Sequence, residues 1–447
     1  MKKTRIVSAT LAAVLTASTL FTGCGQTGTT SATGGSAAGS TTGSTGKVSI
    51  TMLNSKSEIA QKLQQAVDTF NKTNKDGITI SMTTVSSSST VDETMMSKYA
   101  SGNPCTINMV DPVNIASYAS KSADLSSESW ASQINDSFVD SLKVDGKIYA
   151  FPFAVEGDGL IYNKNTIEKA IGGTFDPTSI KSQADLEALY KKIQAGGVTP
   201  VEISHDDWSL ASHYLALAYT GQDSSTSETQ YYKDLKSGKE SLANNTVYNG
   251  LVNLLDLNKK YNIYKASPMS SDYNTSDPKN IATGKVAFWF NGVWVMPNVS
   301  QFLTGDHAKD ELGFLPLYAG GKTDGNIMAG GSKVILIDNT KSTPEQRKAA
   351  NTFLNWLATD DAGQKALSVD MGIISAFKDS KYTPSDSLSK SMVSYIKAGK
   401  TFVGANLSGD YYTKVGAYLQ QYLTGNMDKS TLTKSIDSYF QSASWVK

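Results

Sequence analysis

Histidine and cysteine are scarce in this chain of 447 residues, which contains three histidines and two cysteines. His205 and His213 are eight residues apart, but no third residue completes a zinc-binding pattern with them, and no pair of cysteines accompanies them. A position on the surface or at a helix cap is the better interpretation of both histidines. We therefore expect no metal site and no cofactor.

Familiar catalytic motifs are also missing. The chain has no Gly-x-Ser-x-Gly elbow, no glycine-rich phosphate loop followed by Lys and Ser or Thr, and no His-Glu-x-x-His. Their absence favours a protein that is not an enzyme, although any chain with 41 acidic residues can bring two carboxylates together. Basic residues also number 41, and no basic patch predicts binding of nucleic acid.

The amino terminus has the pattern of an export signal. Basic residues at positions 2, 3 and 5 precede a short apolar segment over 6–17, and small residues lead to the Gly-Cys pair that ends at Cys24. This resembles a bacterial lipobox, with Phe21 where leucine is usual. It predicts a signal peptide over 1–23 and lipidation of Cys24, and ordinary secretion with a chance cysteine is the alternative. A lipidated Cys24 leaves Cys105 without a thiol partner, so we expect no disulfide.

The segment 24–46 predicts a flexible linker. After its cysteine it contains only Gly, Ser, Thr, Ala and one Gln, which cannot bury enough apolar surface to fold. A Gly/Ser coil of about 22 residues has a typical reach of about 25 Å. We therefore expect the folded part to lie at the outer face of the cell membrane, anchored there by the lipid.

The rest of the chain, 47–447, is longer than the about 250–300 residues at which one core stops growing, so we expect two lobes. Strand and helix patterns alternate from Val48 onward, which predicts an α/β fold with a mostly parallel sheet. Ligands of such sheets bind at the carboxyl ends of the strands. The loops after the first and third strands carry Lys56, Asp111 and Asn114 and are candidates for a binding site.

Three segments carry a resemblance to a known family. They are Phe-Pro-Phe-Ala-Val-Glu-Gly at 151–157, Leu-Ile-Tyr-Asn-Lys at 160–164 and Ala-Phe-Trp-Phe-Asn-Gly-Val-Trp at 287–294. Their order and spacing resemble the extracellular solute-binding proteins of sugar-importing ABC transporters, and the maltose-binding group in particular. The resemblance extends over nearly all of 47–447.

This resemblance implies a two-lobed periplasmic-binding-protein-like fold of type II, whose discontinuous lobes are joined by a multi-strand hinge and close on a ligand. One lobe would contain 47–153 and 319–370, and the other 154–318 and 371–447. The crossings would fall at 151–155, at 315–318 and near 371–373. The implied partners are a carbohydrate and the transmembrane permease subunits of an importer, and we expect a monomer.

The resemblance also suggests the ligand-binding residues. Glu156 would accept hydrogen bonds from two sugar hydroxyls, or would be a solvated loop acid. Trp208, beside Asp207, would stack on a sugar ring, or would be a core residue. Trp294 and one of the neighbours Tyr411 and Tyr412 would be further platforms. The full set of expected ligand-binding residues is Lys56, Glu58, Asp111, Asn114, Glu156, Asp207, Trp208, Asn291, Trp294, Tyr411 and Tyr412.

The candidate loops contain no run of arginines, which argues against a strongly anionic ligand. Several aromatic platforms favour an oligosaccharide over a monosaccharide. Two other classes of protein stay open at this point. One is a lipid-anchored glycoside hydrolase, which needs two carboxylates about 5–10 Å apart. The other is a receptor for peptides or polyamines on the same scaffold.

Overall fold

The computed structural model describes residues 47–85, 90–407 and 409–446. The predicted signal peptide, Cys24 and the whole linker lie outside these residues, so the structure does not test them. None of the described helices is both long enough and apolar enough to span a membrane.

Strands and helices alternate through the first part of the described chain, as the sequence predicts. The strands are β1 (Val48–Asn54), β2 (Ile78–Thr84), β3 (Ile107–Val110), β4 (Lys143–Val144), β5 (Lys147–Ile148), β6 (Phe151–Asn163), β7 (Thr199–Glu202), β8 (Val286–Gly292), β9 (Leu312–Leu315), β10 (Ile327–Ile337) and β11 (Thr401–Phe402). The helices are α1 (Ala60–Thr73), α2 (Val91–Ala100), α3 (Ile115–Tyr118), α4 (Asp136–Val139), α5 (Lys164–Ile171), α6 (Gln183–Ala195), α7 (Leu217–Thr220), α8 (Glu228–Ser237), α9 (Thr246–Tyr261), α10 (Ser276–Ala282), α11 (Met296–Val299), α12 (Pro344–Thr359), α13 (Asp361–Lys365), α14 (Ser387–Lys397), α15 (Gly409–Leu423) and α16 (Lys429–Ser442).

Local sequence accounts for several of these elements. Apolar residues at helical spacing form one face of α1, which is buried at Leu63, Ala66, Val67 and Phe70. Thr90 and Glu93 form a capping box that starts α2, which fixes the beginning of that helix. A turn at Asp145 and Gly146, a residue pair typical of tight hairpins, joins the short strands β4 and β5, and both residues have positive φ.

Within the described residues, nine strands form one sheet in the order β2-β1-β3-β10-β6-β8-β7, with β11 paired to β10 and β9 paired to β6. β1 is parallel to β2 and β3, and β7 is parallel to β8. β6 and β10 are antiparallel to each other. β10 is also antiparallel to β3, and β6 is also antiparallel to β8. The expectation of a mostly parallel sheet is therefore wrong for its centre, because the long strands there are not joined by βαβ connections.

β6 is the first crossing strand and continues well beyond the predicted 151–155. Its early residues pair with β10, and its later residues pair with β8 and β9. β10 runs beside the early part of β6, and β9, which ends at Leu315, runs beside its later part. The second crossing at 315–318 stays a prediction. An antiparallel bridge between Val155 and Ile374 lies next to the predicted third crossing.

Two separate hydrophobic cores flank these central strands. The first contains Phe70 of α1 and Phe353 of α12, and the second contains Tyr248 of α9 and Phe440 of α16. Met392 of α14 belongs to the first core, although the sequence places its segment in the second lobe. The bounds of the two lobes stay a prediction, and the candidate site is built where the central strands pass between the cores.

Candidate ligand-binding site

A buried ionic cluster joins the loop after β1 to the crossing strand β6. Lys56 Nζ lies 2.6 Å from Glu58 Oε1 and 2.5 Å from Glu156 Oε1. The side chain of Lys56 is 3% exposed and that of Glu156 is 8% exposed. Asn54, at the end of β1, holds the loop by accepting from the backbone N–H of Lys56 and donating to its carbonyl. Three of the expected residues are thus brought together.

The cluster contains one cation, Lys56, and two carboxylates, and the ammonium of Lys56 contacts both of them. Burial by itself would lower the pKa of Lys56, but the adjacent carboxylates of Glu156 and Glu58 raise it above its usual value. The two carboxylates therefore favour the charged form of the lysine. Because its ammonium lies between the two carboxylates, there is no space between them for the scissile bond that a glycoside hydrolase would hold.

Asp158 follows Glu156 by two residues on β6, so both side chains project from the same face of the strand. Gly292 of β8 is directly opposite Asp158 in the antiparallel register and shares that face. We call this surface, formed by Glu156, Asp158 and Gly292, the binding face. Asp158 Oδ2 lies 3.2 Å from His213 Nδ1, and burial raises the pKa of Asp158.

Aromatic rings cover the binding face in a continuous row. The His213 ring lies 4.6 Å from the Trp294 ring and 5.7 Å from the Trp208 ring, measured between centroids. Trp208 in turn contacts Tyr273 edge to face at 5.1 Å. We call these four side chains, Tyr273, Trp208, His213 and Trp294, the aromatic row. Such rings can contact the apolar faces of a sugar while polar neighbours bind its hydroxyls.

Trp208 and His213 lie on one π-helix, Trp208–Leu215, whose wide turns are frequent at functional sites. Asp207 caps this helix by accepting from the backbone N–H of Trp208 at 2.7 Å. α15 passes very close here, since a Cβ atom at Gly416 would lie 2.5 Å from the Cβ of Asp207. The close approach fixes the start of the π-helix, and with it the position of the Trp208 ring.

The position of the Trp294 ring also depends on a glycine. A Cβ atom at Gly292 would lie 2.1 Å from the Trp294 ring, so the ring folds onto the backbone of β8 only because that side chain is absent. Asn291 precedes it and is fully buried, and its side-chain oxygen accepts from the backbone N–H of Gly292. The amide nitrogen of Asn291 has no partner among the described residues.

Buried polar atoms without partners occur in the segments that carry these side chains. Among the described residues, Ser55 Oγ, Asp158 Oδ1, Asp206 Oδ2 and Asn291 Nδ2 make no hydrogen bond. Leaving such an atom unpaired costs roughly 1–3 kcal/mol, so each favours an incoming partner. Burial, and then the charges of Glu58 and Glu156, raise the pKa of Tyr273, which indicates that its hydroxyl is close to the ionic cluster.

A second edge of the site is formed by Asp111, Asp207 and Tyr412. Asp111 forms an ion pair with Lys333 of β10. Burial, followed by the charges of Asp207, Glu93 and Asp111, raises the pKa of the half-buried Tyr412, which indicates that these acids are near its hydroxyl. Asn114 ends the 3₁₀-helix after Asp111 and is half-buried. No contact described here brings Asn114 to the aromatic row.

Tyr411 is a core residue, and its expected contact with ligand is corrected. Its side chain is 0% exposed, and its hydroxyl lies 2.7 Å from that of Tyr219 within the second core. The helical stripe that includes Val415 and Leu419 turns Tyr411 inward. Of the two neighbours, Tyr412 is the one left near the site.

Three functional candidates escaped the analysis of the sequence. Asp158 could have been found, because it shares the period-two face of Glu156. His213 was interpreted as a surface or capping residue, and its pairing with Asp158 needs the fold. Tyr273 lies in an irregular segment whose position no local pattern indicates. No cluster of potential metal ligands is present among the described residues.

Comparison with known proteins identifies the family. The model of a family described as bacterial extracellular solute-binding proteins matches residues 65–391. Among curated proteins, the melibiose/raffinose/stachyose-binding protein MelE of Bacillus subtilis (strain 168) is 24% identical over 245 residues, which is 54% of this chain and 54% of that protein. The chain thus spans about half the length of this relative.

Solved structures share the whole fold at low sequence identity. The apo form of RafE from Streptococcus pneumoniae has a TM-score of 0.69 at 20% identity, covering 88% of this chain and 97% of that one. The binding protein MsmE of Bacillus subtilis, in an open conformation, has a TM-score of 0.70 at 17% identity, covering 89% and 98%. A family 1 extracellular solute-binding protein from Bifidobacterium longum subsp. infantis has a TM-score of 0.65 at 21% identity, covering 89% and 100%.

These likenesses confirm the α/β fold class of extracellular solute-binding proteins that the sequence predicts. The family consists of proteins that bind solutes and are not enzymes, which agrees with the missing catalytic motifs and with the lysine between the paired carboxylates. The match of the family model over most of the described residues shows that the chain belongs to the bacterial extracellular solute-binding proteins.

Proposed function

We propose that this chain is the substrate-binding component of an ABC importer, captures an oligosaccharide on the binding face and delivers it to the permease subunits. The observation that supports this most directly is the aromatic row beside buried polar atoms that have no partner. Rings match the apolar faces of sugar rings, and unpaired donors and acceptors match hydroxyl groups. MelE is named for melibiose, raffinose and stachyose, which supports the same class of ligand.

The charges near the row support a neutral ligand. The buried ammonium of Lys56 is already paired with Glu58 and Glu156, and Lys333 is paired with Asp111. Both of these cations already have carboxylate partners, which an anionic ligand would have to displace, and a polyamine would compete with Lys56 for Glu58 and Glu156. Hydroxyl groups can bind to the outer oxygens of these pairs without disturbing them. Burial raises the pKa of Asp158 and of Asp206, so their unpaired oxygens favour a neutral hydroxyl partner over a cation.

The anchored location is part of this proposal. Cys24 would carry the lipid, and the linker 24–46 would hold the binding domain within a few nanometres of the permease. Capture is coupled to delivery when the ligand closes the two lobes, since a ligand that contacts both lobes shifts the equilibrium toward the closed state by its differential affinity.

A ligand panel tests the proposal. Isothermal titration calorimetry of the chain from residue 47 onward should show binding of at least one of melibiose, raffinose and stachyose, and none of spermidine or a tripeptide. Small-angle scattering should show a smaller radius of gyration with the bound sugar, and chromatography should recover that sugar intact. Binding of spermidine or the tripeptide, with none of any sugar, would refute the proposal.

A further inference from the structure

Two buried acids link β7 to α10, the helix that follows the segment of Tyr273. Glu202 ends β7 and is 1% exposed, and Asp277 lies in the first turn of α10 and is 0% exposed. Asn280, on the same helix as Asp277, donates from its side-chain amide to Glu202 Oε2 at 2.9 Å. Two carboxylates buried near each other disfavour the second negative charge. The hydrogen bonds that each acid receives therefore decide which of them is ionised.

Asp277 receives several hydrogen bonds. Its Oδ1 atom accepts from the Tyr264 hydroxyl at 2.8 Å and from the backbone N–H of Asp272 at 3.0 Å. Its Oδ2 atom accepts from the Ser204 hydroxyl at 3.1 Å. Burial raises the pKa of Asp277, and these hydrogen bonds oppose that shift because they stabilise the charged form. Asp277 is thus the acid whose negative charge is compensated.

Glu202 has a poorer environment for a negative charge. Among the described residues it accepts the one hydrogen bond from Asn280, and its Oε1 atom is buried without a partner. Burial, and then the charge of Asp277, raise the pKa of Glu202 well above the ordinary value for a glutamate. Lys285, the cation that opposes this shift, is exposed to water. Tyr264 also faces the pair, and burial and the two acids raise its pKa, so that it stays neutral.

Asp277 also holds the segment that carries Tyr273. The backbone N–H of Asp272 donates to Asp277 Oδ1, and the backbone N–H of Asp277 donates to the Asp272 carbonyl at 3.0 Å. These two bonds fix the residue directly before Tyr273. Ser204, which donates to Asp277, also accepts from Nε1 of Trp289 at 2.9 Å. The Trp289 ring is 6.5 Å from the Tyr273 ring, so the same hydrogen bonds hold both sides of Tyr273.

We propose that Asp277 is an ionised positioning residue, which holds Tyr273 in the aromatic row through the backbone of Asp272, and that Glu202 beside it stays protonated. The inference rests on the proposed function. Asp277 is fully buried and acts without contacting the ligand. Its loss displaces the Tyr273 ring, which contacts that of Trp208. The proton on Glu202 limits the buried pair to a single negative charge.

A double-mutant cycle tests the positioning role. The probe is the tightest-binding member of melibiose, raffinose and stachyose, measured by calorimetry. Asp277→Asn and Asp277→Ala should both weaken binding, the latter by about 3- to 30-fold, which is less than the loss of a whole hot-spot ring. On a Tyr273→Ala background the same changes should alter the affinity less than about 2-fold, because the ring that they displace is absent.

Asp338→Asn is the matched control. Asp338 is also 0% exposed, and its carboxylate accepts from the backbone N–H groups of Lys341 and Ser342, in a different loop. This variant should lower the free energy of unfolding and leave the affinity for the sugar unchanged. Asp277→Asn keeps the shape of the side chain and serves if Asp277→Ala does not fold.

Urea unfolding of the wild type and Glu202→Gln between pH 5 and pH 7 tests the proton on Glu202. If the folded wild type holds this proton and the unfolded chain releases it, the wild type loses stability as the pH rises. Its unfolding equilibrium constant should then increase relative to that of Glu202→Gln by up to about 10-fold per pH unit.

The possible results separate the two parts of the proposal from the proposed function. A ratio of unfolding constants that does not change with pH would overturn the assignment of the proton. Wild-type affinity in both Asp277 variants, or equal losses with and without Tyr273, would refute the positioning role. A wild type that binds no sugar refutes the proposed function, and the unfolding measurements still decide whether Glu202 holds the proton.

Discussion

Replacing Lys56 by methionine gives the sharpest test of the ionic cluster. Methionine nearly fills the space of the lysine stem but removes the charge, and it leaves Glu156 buried with a side chain 8% exposed and Glu58 with one 19% exposed. Removing one partner of a buried ion pair costs about 3–5 kcal/mol. Because Glu58 retains some contact with water, we expect a loss near the lower end, about 3 kcal/mol.

The assay is urea unfolding at neutral pH, and the free energy of unfolding of each variant is calculated with one common m-value. Lys147→Met is the matched control, since it removes a lysine whose ion pair with Asp124 is on the surface, with side chains 59% and 39% exposed. Such a pair contributes about 0–1 kcal/mol. Adding Glu58→Gln and Glu156→Gln to Lys56→Met should restore much of the lost stability. If Lys56→Met costs no more than Lys147→Met, the cluster is not the buried ion pair described above.

Three further predictions concern the ring platform, the buried acid and the anchor. Trp208→Ala should weaken sugar binding, measured by calorimetry on the folded protein, by roughly 30- to 1,000-fold, as for a loss of about 2–4 kcal/mol at a hot spot. The control is Trp130→Ala in the first core, which should lower the melting temperature and leave the affinity intact. Normal affinity in Trp208→Ala would make Trp208 a core residue. Burial raises the pKa of Asp158 above the ordinary value for an aspartate, so the folded state holds a proton that the unfolded chain releases, and the wild type should lose stability relative to Asp158→Asn as the pH rises through and above that ordinary value. Urea unfolding of both proteins at pH 4 and pH 7 measures this, and a difference that moves in favour of the wild type at pH 7 contradicts it. Cys24→Ser should move the protein from the membrane fraction to the soluble fraction and abolish lipid labelling, with Cys105→Ser unchanged, whereas continued labelling of Cys24→Ser would contradict the anchor.

Much of the fold follows from local sequence. The stripe on α1, the capping box of α2 and the turn between β4 and β5 need only contacts within a few residues, and periodicity and capping chemistry are local by nature. The fold class was predicted from the order of longer segments. The antiparallel centre was not, because the pairing of β6 with β10 joins residues far apart in the chain, and no local pattern specifies such a partner.

The candidate site divides in the same way. The resemblance to the solute-binding family suggested Glu156, Trp208 and Trp294, and the boundaries expected for Trp208 and Trp294 supported it. The sequence left Tyr411 and Tyr412 as equal choices. The rotation of α15 against the second core decided between them, by placing the Tyr411 hydroxyl on that of Tyr219.

Pairings across the fold belong to tertiary structure alone. Lys56 meets Glu156 across 100 positions, and Asp158 meets His213 across 55. The sequence by itself determined which side chains could bind a hydroxylated ligand and roughly where the elements carrying them begin and end. Only the packing of β6, β8 and the π-helix brought those side chains to one face. The distance between two such side chains depends on how distant segments pack into the two cores, and the residues that separate them in the chain do not specify it.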